Sequence, residues 1–175
     1  MAGILKLDEI RATSSGGLVE VPSGSTLYAP GHIIQFKKTS YITGAQNTTA
    51  HTFSDITGAS LTITPKSTSS IIMIGWAGHL GGTGTFRYLR DGTALNTPTN
   101  NYYYYDTDTN SQTNWAANST RTSFKEEVFD EPSTTSQITY KVQFAAYDTT
   151  NDGFGINETT VRREGSILYL MEIAQ

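Results

Sequence analysis

The strongest constraint on the fold is the alternation of apolar and polar residues in the segment 137–148. From Ile138 to Ala146 every second position is apolar or aromatic, namely Ile138, Tyr140, Val142, Phe144 and Ala146, and the first three positions between them are polar, namely Thr139, Lys141 and Gln143. Successive side chains of a β-strand point to opposite faces, so this pattern predicts a strand with one buried and one solvated face. Such strands, separated by turn residues, are typical of β-sandwiches and barrels.

Short segments of the same kind occupy most of the chain. We predict strands at 17–22, 32–40, 49–56, 60–65, 69–80, 85–95, 102–105, 122–130, 136–148 and 166–175. Helical periodicity is confined to residues 4–12, which fit a strand equally well. About eight strands from Ile33 onward predict an all-β, jelly-roll-like antiparallel β-sandwich, because two four-stranded sheets give that count.

Three local patterns refine this prediction. Asp91-Gly92 is typical of a tight hairpin turn. The apolar run from Ile71 to Ile74 does not alternate, which predicts a central strand that is covered on both sides. The glycines of residues 78–86 are interpreted as a hairpin tip, because they lack the Lys-Ser/Thr pair and the helix that a phosphate-binding loop requires.

The N-terminal residues have a different character. Glycine and proline interrupt them every few positions, and their apolar residues are too few to form a core. We therefore expect residues 1–30 to be an attachment arm that needs a partner, and residues 31–175 to be the β-sandwich domain. The candidates for docking the arm are Ile4, Leu5, Leu7, Ile10, Leu18 and Val21.

The composition narrows the class of protein. Charged residues make up 16% of the chain, against roughly 25% in average domains. Threonine, with 28 residues, is the main source of polarity, which favours a β-rich extracellular or particle-bound protein. The absence of cysteine excludes disulfides and thiolate chemistry. Mild acidity argues against a nucleic-acid partner, and no apolar run approaches the roughly 20 residues of a membrane-spanning helix.

The sequence contains no motif that predicts a metal or a cofactor. His32, His51 and His79 are far apart, whereas zinc needs three or four ligands within tetrahedral reach. Residues 106–110 begin like a calcium loop, but Ser111 stands where that loop requires glycine. We expect no metal-binding and no cofactor-binding residues.

The acidic residues near position 127 do not predict catalysis. Glu126 and Glu127 are adjacent on a predicted strand and should point to opposite faces. They cannot then form the facing carboxylate pair of a glycosidase. We expect a protein that is not an enzyme and has no catalytic residues.

A run of aromatic residues is the main candidate contact surface. It consists of Tyr102, Tyr103, Tyr104 and Tyr105, with Trp115 further along the chain. In a strand, one pair of tyrosines would face the core and the other pair a neighbouring subunit. Alternatively, these rings and the surrounding asparagines and aspartates bind sugar rings on a host surface. Both interpretations, subunit contact and receptor contact, stay open.

Several segments together resemble a known class of protein. In chain order they are LDEIRATSSGGLVEVPSG, APGHIIQF, FSDITGASLTITPKSTSSIIMI, RYLRDGTAL, EPSTTSQITYKVQF and SILYLMEIAQ. This order resembles small virion proteins of the tail-fibre and fibre-tip type from phages of aquatic bacteria; residues 96–121 take no part in the resemblance. It implies a β-sandwich, a homotrimer, attachment through the N-terminus and no catalytic residues.

The residues and the resemblance lead to two functional hypotheses. In the first, the chain is a virion structural protein, a trimeric fibre or fibre tip whose arm docks on other virion proteins and whose distal surface contacts host glycan. In the second, it is a capsid decoration protein, a cement or head fibre without a receptor. A depolymerase is disfavoured because no acid pair is present, and a free-standing lectin because the arm needs a partner. Neither nucleic acid nor membrane insertion is expected.

Overall fold

The computed structural model describes residues 29–81, 84–95, 122–146, 154–156 and 165–175. These residues form strands and no helix. The strands are β1 (Ile33–Lys38), β2 (Gln46–Thr48), β3 (Ser54–Ile63), β4 (Ile71–Gly81), β5 (Gly84–Arg90), β6 (Thr93–Ala94), β7 (Thr122–Asp130), β8 (Ile138–Ala146), β9 (Phe154–Ile156) and β10 (Ile167–Ile173). The predicted tyrosine strand at 102–105 and all of the predicted arm except Ala29 and Pro30 lie outside the described residues.

The strands form two antiparallel sheets that pack as a sandwich. In the first sheet β10 and β4 are central, with β1 beside β10 and β7 beside β4; the short β9 and β2 continue from the far end of β4. The second sheet has the order β3-β8-β5-β6. Without β2 and β9, the eight remaining strands divide four and four between the sheets, which confirms the predicted jelly-roll-like sandwich.

Turn geometry follows the sequence at one connection and departs from it at two others. Asp91 and Gly92 have φ angles of 47° and 86° and join β5 to β6, so the predicted hairpin is confirmed. The predicted strands at 49–56 and 60–65 are instead one strand, β3, whose register shifts near Gly58. The predicted hairpin at 78–86 is wrong, because β4 and β5 belong to different sheets.

The core lies between the inner faces of the two sheets. The predicted alternation in β8 is confirmed, since its apolar positions are at most 3% exposed. They face the buried side chains of β4 and β10, which are Ile72, Ile74, Trp76, Leu168 and Leu170. Trp76 meets the ring of Phe86 edge-on at 6.0 Å, and Phe86 stacks on Phe124 at 5.0 Å. Each large apolar side chain buried in this way contributes about 1.5–3 kcal/mol.

A buried carboxylate holds β1 against the rest of the first sheet. Glu172 of β10 is fully buried and accepts hydrogen bonds from the side chain of Gln35 and, at 2.6 Å, from the backbone N–H of Lys66. Gln35 donates a further bond to the carbonyl of Thr64. A polar group can be buried without a large cost only where such hydrogen bonds replace those to water. Glu172 therefore fixes the position of β1, the strand that follows the predicted arm.

Candidate assembly surface

The two outer faces of the sandwich differ in chemistry. On the second sheet, Arg87 donates to Gln143 at 2.7 Å, Gln143 donates to Asp55, and Lys141 lies 3.0 Å from the same carboxylate. The Arg87 guanidinium also stacks 4.3 Å above the Phe53 ring. The hydrogen bond from Gln143, and then that from Lys141, hold the pKa of Asp55 below its usual value. This face is a connected polar network that is suited to contact with water.

The outer face of the first sheet carries a row of apolar side chains. Phe36 is opposite Met171, Met171 is opposite Met73, and Met73 is opposite Phe129. Residues paired across antiparallel strands share a face, so the row crosses all four long strands. The two methionines are half-buried, whereas Phe36 is 51% and Phe129 61% exposed.

A second row lies beside the first and is covered by one aromatic ring. Lys38, Tyr169, Gly75 and Glu127 are paired in that order across the sheet. The Tyr169 ring lies over Gly75, and its hydroxyl donates to Glu127 at 2.9 Å. The same ring lies 6.1 Å from that of Phe36, which joins the two rows into one surface.

Electrostatics stabilise the ionised form of Glu127 on this surface. Lys125 lies 2.8 Å from Glu127, and this hydrogen bond, followed by that from Tyr169, lowers the pKa of the carboxyl. The pKa of Lys125 is raised, chiefly by its hydrogen bond with Glu127. Burial, and then the bond with Glu127, raises the pKa of Tyr169. Near neutral pH, Glu127 is therefore an anion and the Tyr169 hydroxyl is its donor.

The rows and the isoleucines beside them form what we call the outer apolar face. It consists of Ile33, Phe36, Ile71, Met73, Phe129, Tyr169, Met171 and Ile173. The prediction that Ile71 to Ile74 form a central strand is confirmed, because β4 lies between β10 and β7. The prediction that this strand is covered on both sides is wrong for the described chain: Ile72 and Ile74 are buried, but Ile71 and Met73 are half-buried. Because β4 carries apolar side chains on its outer face as well as on its core face, its outer face is suited to being covered by another layer of protein.

Opposite charges lie at the two edges of the outer apolar face. β1 contains Lys37 and Lys38 and no acidic residue. β7 points Glu127 and its partner Lys125 outward, whereas its other two acidic residues, Glu126 and Asp130, point between the sheets; the exposed Glu131 follows the strand. Lys38 and Glu127 point outward at the same level of the sheet, at its two edges.

The residues singled out from the sequence have several locations. The tyrosine run, Trp115 and the arm-docking candidates lie outside the described residues. Glu126 and Glu127 point to opposite faces as predicted, since Glu126 accepts from Tyr88 between the sheets and Glu127 from Tyr169 outside. Within the described ranges, no cluster of three or more His, Asp or Glu residues could hold a metal ion.

Sequence reasoning missed the outer apolar face, although β7 carried a signal for it. Phe124 and Phe129 are five positions apart, and an odd separation in a strand places two residues on opposite faces. One phenylalanine had to be outside if the other was in the core. The sequence held no such signal that Phe129 and Phe36 end the same row, because this alignment depends on the order of four strands.

Comparisons with known proteins do not assign the chain to a family. In the part of the chain that the structure describes, no helix is long and apolar enough to cross a membrane. A scan of protein-family models found no match, and a search of curated proteins found none.

Proposed function

We propose that the chain is a non-enzymatic structural protein of a phage virion. In this proposal it is a homotrimeric fibre or fibre-tip module that is attached to other virion proteins by its N-terminal arm and contacts the host surface. The observation that supports the proposal best is the outer apolar face, on which Phe36 and Phe129 are each more than half exposed. Contiguous exposed apolar surface rimmed by polar residues is typical of a protein–protein contact.

The acidic side chains between the sheets support a structural role. Asp130 accepts two contacts from Arg90, at 2.9 and 3.1 Å, and one from the Tyr140 hydroxyl at 2.7 Å. Glu126 accepts from Tyr88 of the opposite sheet at 2.8 Å. These bonds cross from β7 to the second sheet and hold the two sheets together. Stabilising the sandwich is therefore a sufficient role for Glu126 and Asp130.

The position where the described chain begins supports attachment through the N-terminus. The N–H of Gly31 donates to the carbonyl of Ala174, and the N–H of Ala174 donates to that of His32. The described chain thus begins at one end of β1, beside Ile33 and Ile173, at one end of the outer apolar face. A module anchored at one end leaves its opposite end free for recognition.

The number of copies per particle tests the proposal. Quantitative mass spectrometry of purified particles should give a small copy number divisible by three relative to the major capsid protein. A number comparable to that of the capsid protein would favour the capsid decoration alternative. Absence from particles would refute a virion role. A chain lacking residues 1–24 should fold but fail to enter particles.

A further inference from the structure

We propose that three copies turn their outer apolar faces toward a common three-fold axis parallel to the strands, with β1 of each subunit against β7 of the next. Lys38 of one subunit then pairs with Glu127 of the next, and Phe36 packs against Phe129. The proposed function supplies only the number of copies. The contacts follow from the positions of these four residues.

The pairing of the strands determines which residues can meet. Rotation about an axis parallel to the strands leaves the height of each residue along that axis unchanged. Phe36 and Phe129 end one row of the sheet, and Lys38 and Glu127 end the next. When the β1 edge of one copy meets the β7 edge of another at equal height, Phe36 meets Phe129, and Lys38 meets Glu127, which Lys125 of its own subunit also contacts.

The edge charges select this contact over its alternatives. At equal height, two β1 strands placed together would bring Lys38 against Lys38, and two β7 strands would bring Glu127 against Glu127 and Lys125 against Lys125. Like charges across an interface are unfavourable, whereas opposite charges fix the register. The favourable contact joins two different edges, which makes it heterologous, and heterologous contacts that close form rings.

The contact is made by side chains rather than by pairing of strand edges. The register of β1 is irregular between Ile33 and Gln35, and Lys37 and Lys38 lie on this edge strand. Bulges and lysines are features that keep edge strands from pairing with other chains. The exposed rings of Phe36 and Phe129 remain available, and half-buried Met73 and Met171 lie between them, toward the axis.

Charge reversal tests the contact on the full-length chain. Lys38→Glu and Glu127→Lys, each alone, should raise the subunit concentration at half-assembly roughly tenfold or more, because each places like charges together. The double variant should restore assembly when Lys125→Glu accompanies it, because the carboxylate at position 125 then pairs with the lysine at position 127 as Lys125 pairs with Glu127 in the natural chain. Light scattering with size-exclusion chromatography gives the mass, and circular dichroism verifies that each variant is folded. Lys141→Glu, an equal charge change on the polar face, is the matched control and should leave assembly unchanged.

Each other outcome overturns a defined part of the proposal. A trimer that neither single variant weakens, or that the double variant with Lys125→Glu does not restore, refutes this surface and leaves the trimer of the proposed function standing. A monomer at all concentrations refutes both. A dimer refutes the three-fold axis. Mixing the two single variants distinguishes a two-member ring from a three-member ring. A two-member ring made of one copy of each variant regains both favourable contacts, whereas a three-member ring always retains at least one contact between like charges.

Discussion

The ring of Tyr169 occupies the space directly above Gly75 on the neighbouring strand, where a Cβ atom at position 75 would lie 2.0 Å from Cζ of the ring. This close approach lets the ring lie flat and its hydroxyl reach Glu127 two strands away. The centre of the outer apolar face is thus covered by the Tyr169 ring, which lies on Gly75. The carboxylate of Glu127 is held by the Tyr169 hydroxyl at one edge of this face.

Gly75→Ala should displace the Tyr169 ring. The added methyl group overpacks the contact, and we expect a loss of about 1–3 kcal/mol in the free energy of unfolding. Chemical denaturation monitored by tryptophan fluorescence measures it. Gly44→Ala is the matched control, because a Cβ there meets no atom within 4 Å. Equal stability of the two variants would contradict the contact.

The Tyr140 hydroxyl should make stability depend on alkaline pH. Burial, and then its hydrogen bond to Asp130, raises the pKa of Tyr140 above its usual value. An unfolded tyrosine ionises near pH 10. The stabilisation is therefore fully present below about pH 10 and is lost as the pH rises above it, where the unfolded chain releases the proton more readily.

Tyr140→Phe should reduce that alkaline loss. At neutral pH it should cost about 1–2 kcal/mol, because Asp130 loses a hydrogen bond. The free energy of unfolding, measured by denaturation from pH 8 to 11.5, gives both effects. Tyr41→Phe, at a ring that is 65% exposed, is the control and should preserve the alkaline slope. An unchanged slope in Tyr140→Phe would show that another group causes it.

The Asp55 carboxylate should contribute to stability at the acid end. Its folded pKa is lowered, first by Gln143 and then by Lys141, so its contribution is present above the unfolded pKa and is lost as the pH falls through the folded one. The side chain is half exposed, and we expect less than about 1 kcal/mol. Asp55→Asn should reduce the slope of the free energy of unfolding against pH between pH 2 and 5, measured by chemical denaturation at each pH. A slope equal to that of the wild type would contradict this role.

The sequence was sufficient for the jelly-roll-like sandwich because the signals involved are local. Alternation in β8 and the Asp91-Gly92 turn each depend on neighbouring residues, and both are confirmed. The outer apolar face depends instead on which strands are neighbours. Phe36, Met73, Phe129 and Met171 come from four strands far apart along the chain, and only the sheet order aligns them.

The aromatic run offers a test that separates adhesion from assembly. Tyr103→Ala or Trp115→Ala should abolish adsorption of the protein to host cells or glycans while the proposed trimer persists, if these rings stack on sugars. Light scattering alongside a cell-binding assay reports both properties. Loss of the trimer would support the alternative in which these residues are subunit contacts.

Glu172 should control the stability of β1 and, through it, the proposed assembly. Glu172→Leu fills a similar volume but removes the acceptor of the Lys66 N–H and of the Gln35 amide. We expect a loss of about 2–4 kcal/mol in the free energy of unfolding. Glu172→Gln retains one acceptor oxygen and should cost less. Hydrogen exchange should increase in β1, which carries Phe36 and Lys38, more than in β8 of the opposite sheet. Equal exchange in the two strands would mean that Glu172 stabilises the sandwich as a whole and that β1 has no separate dependence on it.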